Sequence, residues 1–556
     1  MFKQKLQRIY SDAETVNLLD IKLQELVDNY KGSVPVLSSK PWTQQDALLI
    51  TYGDSIVEEG QMPLETFDLF ADKELSDIIS FIHILPFFPW STDDGFAVKD
   101  FRKIDSSLGD WENIAKLSDN FRLVFDAVIN HVSESSVYME GYRNGDSKYK
   151  DFFIALDPDT DTSSVLRTRN LPLLHDYETS DGTKWMWTTF SRDQLDLNFK
   201  NPNVLLEIID VLLGYLQKGA SMIRLDAIPY LWKELGTSCA HLPQTHEIIK
   251  LIADIYQEVS PGALLLTETN VPHQENISYF GDKGDEAQMI YNFSLAPLIV
   301  YSLLKGDGSV LSNWASQVKC VSETATYLNI TATHDGIGMR PTEGILSEEK
   351  RQMMIDVAKC RGGDITGKRN SDGSISVYEL NINYFDMLND PNGDEPIDLQ
   401  IQKFMLSQTI PMSFIGIPGI YIHSLLGSRN YYQGVEETGR ARSINREQLN
   451  SDELEKNLSD SEDLRSKVFN EYKRRLKIRS EEVCFHPDAN QEILLLDKRV
   501  FALKRIAGER ELIALHSLVN EQVTIELSVE GVNLLSGDVV SGSVNLDAYD
   551  VCWVVE

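Results

Sequence analysis

Ser221-Met-Ile-Arg-Leu-Asp-Ala227 places an arginine and an aspartate two positions apart at the end of an apolar run. Alternate side chains on a strand share a face, so a strand ending here sends Arg224 and Asp226 to the same side. Charges at a buried strand end cost desolvation free energy unless they pair or act. A buried structural ion pair is the plain reading of an isolated R-x-D. Three other stretches point further: Asp126-Ala-Val-Ile-Asn-His131, Glu268 and His334-Asp335. Each lies in or just after a short apolar run.

Runs of this kind recur along the chain at 47–52, 79–86, 122–129, 221–225, 263–267, 289–293, 326–331 and 415–421. They are largely apolar rather than alternating, as strands covered on both faces are. Helix-like segments lie between them, 203–218 and 243–259 being the most amphipathic. Eight such βα units predict an α/β fold, a (β/α)8 TIM barrel. The barrel with its insertions is expected over 46–484. Residues 1–45 read as an amphipathic helical extension closed by Pro35 and Pro41. From 485 to 556, short runs at 493–496, 500–505, 512–517 and 523–527 predict a C-terminal antiparallel β domain. Two connections are too long for simple loops: 132–198, rich in Asp, Ser, Thr and aromatics, and 336–398, rich in Gly and Asp. Both follow strand C-termini, where barrels hold their sites, so both read as loop-insertion subdomains that wall a pocket. Residues 449–466 read as a charged, solvated helix.

The net charge of −33 over 556 residues argues against nucleic acid and anionic membranes as partners. It also requires a local basic pocket for any anionic substrate. Cys239, Cys320, Cys360, Cys484 and Cys552 are scattered and lack C-x-x-C spacing, which fits reduced thiols in the cytoplasm. The opening residues contain no apolar signal region, and no run long enough to span a membrane is expected. No calcium-type carboxylate loop and no Gly-rich phosphate loop opens a helix, so neither metal nor nucleotide cofactor is expected.

Barrel geometry would bring the four polar clusters around one mouth. Retaining glycosyl transfer needs a nucleophilic carboxylate and an acid/base carboxyl flanking one bond. Asp226 fits the first, kept ionised by Arg224. Glu268 fits the second, with a raised pKa. Asp335 fits a third carboxylate, holding sugar hydroxyls as the oxocarbenium ion forms. His131 and His334 fit donors to the same sugar. Asp126 reads as a support for either His131 or Arg224.

These clusters, in this order, together with Leu195-Asp-Leu-Asn198, resemble the α-amylase superfamily, over roughly residues 46–556. Within it, HILPFFPW and DDGF (83–96), Leu235-Gly-Thr-Ser-Cys239, THDGIG (333–338) and ARSINR (441–446) are similar to the sucrose phosphorylase branch. That resemblance implies a double displacement in which phosphate, not water, attacks a glucosyl-enzyme. It implies that Asp93 and Arg442 clamp the far end of the glucose, with Arg440 as the alternative arginine, and that Phe96 lies under the ring. It assigns Arg169, Tyr230 and the Tyr378-Glu379 pair to phosphate or the leaving group. Asn270 and Glu379 depart from the sucrose phosphorylase pattern, which carries a histidine and a glutamine there. Glu379, with the N-terminal extension, is similar to glucosylglycerate phosphorylases. The implied substrates are a small α-glucoside and inorganic phosphate as co-substrate, with no cofactor, in a monomer or homodimer. The implied reaction is reversible phosphorolysis of 2-O-α-glucosylglycerate to α-glucose 1-phosphate and glycerate. Arg169, Arg167 or Arg340 would take the glycerate carboxylate and Glu379 its hydroxyls. Sucrose, sucrose 6-phosphate and glucosylglycerol are the rival substrates. An α-glucoside hydrolase and a non-catalytic barrel protein are the rival classes.

Overall fold

Eight short parallel strands close on one another: β1 (Leu48–Thr51), β2 (Phe81–Ile84), β3 (Arg122–Ala127), β4 (Ala220–Leu225), β5 (Leu264–Thr267), β6 (Met289–Tyr291), β7 (Thr326–Ile330) and β8 (Ile417–Tyr421). Each pairs with the next in sequence, and β8 returns to β1. This is the expected TIM barrel. Every strand falls inside its expected run except β4, which starts one residue earlier. The computed structural model describes residues 2–37, 42–167, 169–319, 322, 324–369 and 374–556. Pro41 and Cys320 lie outside the described residues.

The strands are apolar because both faces are covered. All four residues of β1, β2 and β5 are buried. Helices such as Pro63–Leu75, Pro202–Gln217 and Pro243–Val259 wrap the outside. Each begins with proline, whose fixed φ and missing N–H suit the first helical position. Helix Trp111–Asn120 instead starts from a capping box between Asp110 and Asn113.

At the N-terminus, helices Lys3–Ile9 and Ala13–Tyr30 pack on the outer helices. Tyr10 donates to the Phe199 carbonyl at 2.9 Å and Tyr30 to Asp210 at 3.0 Å. The C-terminal sheet has six antiparallel strands, ordered Asn490–Leu494, Val500–Ala507, Arg510–Ser517, Val551–Val555, Val523–Asn533 and Val539–Leu546. The last two in sequence escape the sequence reading. Val539–Leu546 carries Gly542 and two serines and buries only three of its eight side chains. Val551–Val555 is a five-residue run at the chain's end. The sheet docks on helix Ile397–Ser413, where the Trp553 indole donates to Ser413 Oγ at 2.9 Å. The stretch 449–466 also differs from expectation. It holds a strand pair with Ile56–Val57, the helix Ser451–Ser459 and the start of Leu464–Glu481, and Leu454 is buried.

The two insertions build their own small sheets above the barrel. At the foot of the first, His131–Ser133 pairs with Gln194–Asp196. Above it stand Ala155–Leu156, Gly182–Trp187 and Leu174–Thr179. The second contains Ile337–Gly338, Ile375–Asn381 and Asp364–Arg369. Among the described residues no helix is long and apolar enough to cross a membrane.

Candidate active site

Strand register delivers the first charges. β3 and β4 pair Asp126 with Arg224, and the two side chains meet inside the barrel at 2.6 Å. Arg224 Nη1 also donates to Asp226 Oδ1 at 2.9 Å, and its Nη2 lies 3.9 Å from Glu268 Oε2. The ladder runs one step past the strand ends, as Asp226 N–H bonds the Ala127 carbonyl at 3.2 Å and Glu268 N–H bonds the Leu225 carbonyl at 3.1 Å. Three carboxylates therefore surround one buried guanidinium. Asp126 is further held by His83 Nε2 at 2.9 Å, not by His131. Ala227 takes a left-handed turn, φ 48°, and its N–H comes 3.4 Å from Glu268 Oε2.

Burial pushes the Asp226 and Glu268 carboxyls up, and Arg224 pulls both down. Both stay above the usual carboxylate range, Asp226 the more strongly. The direct bond at 2.9 Å against 3.9 Å favours the charged form at Asp226 over Glu268, whose carboxyl the nearby Asp335 charge raises further. Asp335 behaves oppositely. Burial would raise it, but Arg442, His334 and Arg446 hold it well below the usual carboxylate range. Burial keeps His131 and His334 neutral at physiological pH.

One cavity collects most of the residues expected from the sequence. Asp226 and Glu268 line it from β4 and β5. His334 and Asp335 do so beyond β7, Asp93 and Phe96 from the turn after β2, and His131 beyond β3. Arg169, Tyr378 and Arg442 come from the insertions and the loop after β8. Phe96 stacks on His334 with centroids 4.9 Å apart, and its carbonyl accepts from His131 Nε2 at 2.9 Å. Asp93, Asp94 and Gly95 take consecutive positive φ values of 58°, 49° and 106°. A Cβ on Gly95 would fall 2.6 Å from the Pro86 carbonyl. Arg440 (2.7 Å) and Arg446 grip Asp94. Arg440 is thus engaged outside the cavity, while Arg442 lines it and bonds Asp335 at 2.7 Å.

Glu379 requires a correction. It is fully buried and does not line the cavity. Arg442 Nε and Nη2 occupy its two oxygens at 2.7 and 3.0 Å. Tyr378 and Glu379 are neighbours on strand Ile375–Asn381, so they point to opposite faces. Tyr378 takes the cavity and Glu379 the back of Arg442. Tyr230 and Arg224 also stand behind the lining, Tyr230 edge-on to Phe190 at 5.7 Å. Arg167 bonds the Leu171 carbonyl within its own loop.

Gln194, Phe190 and Ala227 line the cavity without having been singled out from the sequence. Gln194 adjoins the Leu195-Asp-Leu-Asn198 motif, a signal that would have found it. Lys233 also escaped. It is buried and bridges Asp196 (2.6 Å) and Asn130 (2.8 Å), the neighbour of His131. Nothing in the local sequence marks its partner.

The chain is similar to known proteins over most of its length. Residues 75–335 match the alpha amylase catalytic domain. A glucosylglycerate phosphorylase from Spirochaeta thermophila is 46% identical over 489 residues, covering 87% of this chain and 83% of that protein. The glucosylglycerate phosphorylase of Escherichia coli is 40% identical over 555 residues, covering 99% and 98%. The crystal structure of sucrose 6F-phosphate phosphorylase from Thermoanaerobacter thermosaccharolyticum superposes with a TM-score of 0.76 at 25% identity, covering 91% of this chain and 99% of that one. With its closed barrel and a carboxylate cluster at the barrel mouth, the chain belongs to the alpha-amylase family, where its relatives include the glucosylglycerate phosphorylases.

Proposed function

We propose that this protein is a retaining glucoside phosphorylase that reversibly converts 2-O-α-glucosylglycerate and phosphate into α-glucose 1-phosphate and glycerate. The observation that carries the chemistry is the shared guanidinium: Arg224 touches Asp226 at 2.9 Å and approaches Glu268 to 3.9 Å at one cavity. Asp226 attacks the anomeric carbon while Glu268 gives its proton to the departing glycerate oxygen, leaving a glucosyl ester on Asp226. A phosphate oxygen then attacks the same carbon, Asp226 departs as a carboxylate, and Glu268 takes the proton back. Asp335 and Arg442, with Asp93, hold the glucose hydroxyls, and Phe96 packs against the ring. The two carboxyls suffice for both steps, so the reaction uses no cofactor or metal; phosphate is the co-substrate. The choice of acceptor is supported by relatives named for glucosylglycerate at 40–46% identity. We place the enzyme in the cytoplasm, as a monomer or homodimer; the free Cys239, Cys360, Cys484 and Cys552 fit a reducing compartment.

The test is a panel of glucosylglycerate, glucosylglycerol, sucrose and sucrose 6-phosphate, each with and without phosphate. Glucose 1-phosphate from glucosylglycerate, and only with phosphate, is the expected result. Release from sucrose but not from glucosylglycerate sinks the acceptor. Free glucose at the same rate without phosphate makes the protein a hydrolase.

A further inference from the structure

Asp93 and Asp335 reach the cavity from loops after different strands, and one side chain outside the cavity joins those loops. Arg446 ends the stretch Arg442-Ser-Ile-Asn-Arg446 in the loop after β8, and its side chain is 8% exposed. Its Nε donates to the His334 carbonyl at 2.9 Å, and its Nη1 bonds Asp94. Its Nη2 has no hydrogen-bond partner among the described residues and faces Asp335 Oδ1 at 3.7 Å. The guanidinium carbon lies 5.6 Å from the centre of the Tyr52 ring, which meets His334 edge to face at 5.8 Å.

Asn445 doubles the grip. Its Nδ2 donates to the Thr333 carbonyl at 2.7 Å, so two neighbouring side chains hold the neighbouring carbonyls of Thr333 and His334. The base of this clasp is fixed in turn. The Tyr421 hydroxyl, at the end of β8, donates to the Asn445 carbonyl at 2.8 Å, and Asn383 Nδ2 donates to the Asn445 side-chain oxygen at 3.2 Å.

The turn on the other side needs such a hold. Asp93 and Asp94 both take left-handed φ values, which cost free energy in a residue with a Cβ and persist only where the surroundings fix them. Asp93 and Phe96 line the cavity, whereas Asp94 between them does not. Of the two arginines on Asp94, Arg446 is far the more buried. Its charge-assisted bond is the stronger tether, since solvent screens the pair with Arg440.

We propose that Arg446, seated beside Asn445, is a positioning residue for the glucosyl group. By tying the Asp94 turn to the His334-Asp335 backbone, it sets the separation between Asp93 and Phe96 on one wall and Asp335 on the other. This rests on the function proposed above. Both chemical steps pass through the same oxocarbenium-like glucosyl group, so loss of this frame slows every glucosyl donor, α-glucose 1-phosphate included.

The test uses the full chain in both directions, phosphorolysis of glucosylglycerate and synthesis from α-glucose 1-phosphate and glycerate, with thermal unfolding as the check on folding. Arg446→Met is expected to lower kcat/KM for both donors alike by about 30- to 300-fold, the scale of a misplaced reacting geometry. KM for α-glucose 1-phosphate is expected to rise at least about threefold, because ground-state contacts to the sugar are lost as well. Arg446→Lys is expected to recover about tenfold, since an ammonium keeps the charge but not the fork that bonds Asp94 and the His334 carbonyl together. Asp94→Asn is expected to cost about tenfold alone and less than about threefold more on top of Arg446→Met, because both changes break one tether. A merely structural arginine would instead give less folded enzyme with KM unchanged, an outcome that overturns the positioning role. A loss confined to glucosylglycerate overturns it too, by placing Arg446 on the leaving-group side, and so do losses from Asp94→Asn and Arg446→Met that multiply in full. If the unaltered protein releases glucose 1-phosphate from none of the four glucosides, the function itself falls, and the positioning role with it.

Discussion

The two halves of the cavity are built by different physics. The proposed glucose half hangs on barrel strand ends, closed by Arg442 from the loop after β8 and Glu379 from the second insertion, and its charges pair with one another: Asp126, Arg224 and Asp226 in one chain of bonds, Asp335, Arg442 and Glu379 in another. The proposed acceptor half hangs on the insertions, where Arg169 lies over the Phe190 and Tyr378 rings. A charge-paired network in a low-dielectric core is rigid, which fits the proposed reading of one sugar. Side chains on inserted loops can vary without disturbing the strands, so the proposed leaving-group side can change while the carboxylates stay in place. Variants in the glucose half should therefore damage every glucoside alike, and those in the acceptor half should discriminate.

The largest break is at the centre. Asp226→Asn is expected to lower kcat by at least about 10⁴-fold for every donor, read as initial rates of glucose 1-phosphate release. Activity for only one donor would mean that the halves are not separate. Glu268→Gln is expected to cost about 10²- to 10⁴-fold. Its sign with pH is specific: burial raises the Glu268 pKa, and the first step needs the protonated form. Phosphorolysis should therefore fall as pH rises through that raised value. The variant should lose this limb of the kcat profile.

The joint between the halves comes next. Lys233→Met strips the ammonium from Asp196 and Asn130 and leaves a buried carboxylate uncompensated, a loss of about 3–5 kcal/mol in unfolding free energy. Denaturant titration reads it, and a change below about 1 kcal/mol would mean that the insertion does not depend on this staple.

Glu379 sharpens the comparison further. Glu379→Gln removes one charge from behind Arg442 and should weaken glucose binding by about 1.5–3 kcal/mol, equally for glucosylglycerate and for α-glucose 1-phosphate. A change confined to the acceptor would return Glu379 to the acceptor half. The smallest effect belongs to Arg440→Ala. Its ion pair with Asp94 is 42% exposed on the arginine side, so a change of at most about 1 kcal/mol in glucoside binding is expected.

The barrel was legible in the sequence because strands covered on both faces must be apolar throughout, a pattern that does not depend on partners. The positions of Asp226, Glu268 and His334-Asp335 were legible for the same reason: charges stand out directly after such runs. Glu379 was misread because nothing local shows which parity of an inserted strand faces a cavity. Arg440 and Arg442 could not be told apart, since each satisfies a carboxylate far away in the chain. His83 and Lys233 passed unnoticed because their partners, Asp126 and Asp196, lie on other elements.

By itself the sequence determined eight buried strands, two long insertions and a set of carboxylates at strand ends, all properties of local periodicity and of the cost of burying charge. Only the tertiary structure decided which guanidinium each carboxylate meets, because strand register and loop packing, not sequence spacing, set the distances over which charges act. That decision ties Asp226 to Arg224, and both Asp335 and Glu379 to Arg442.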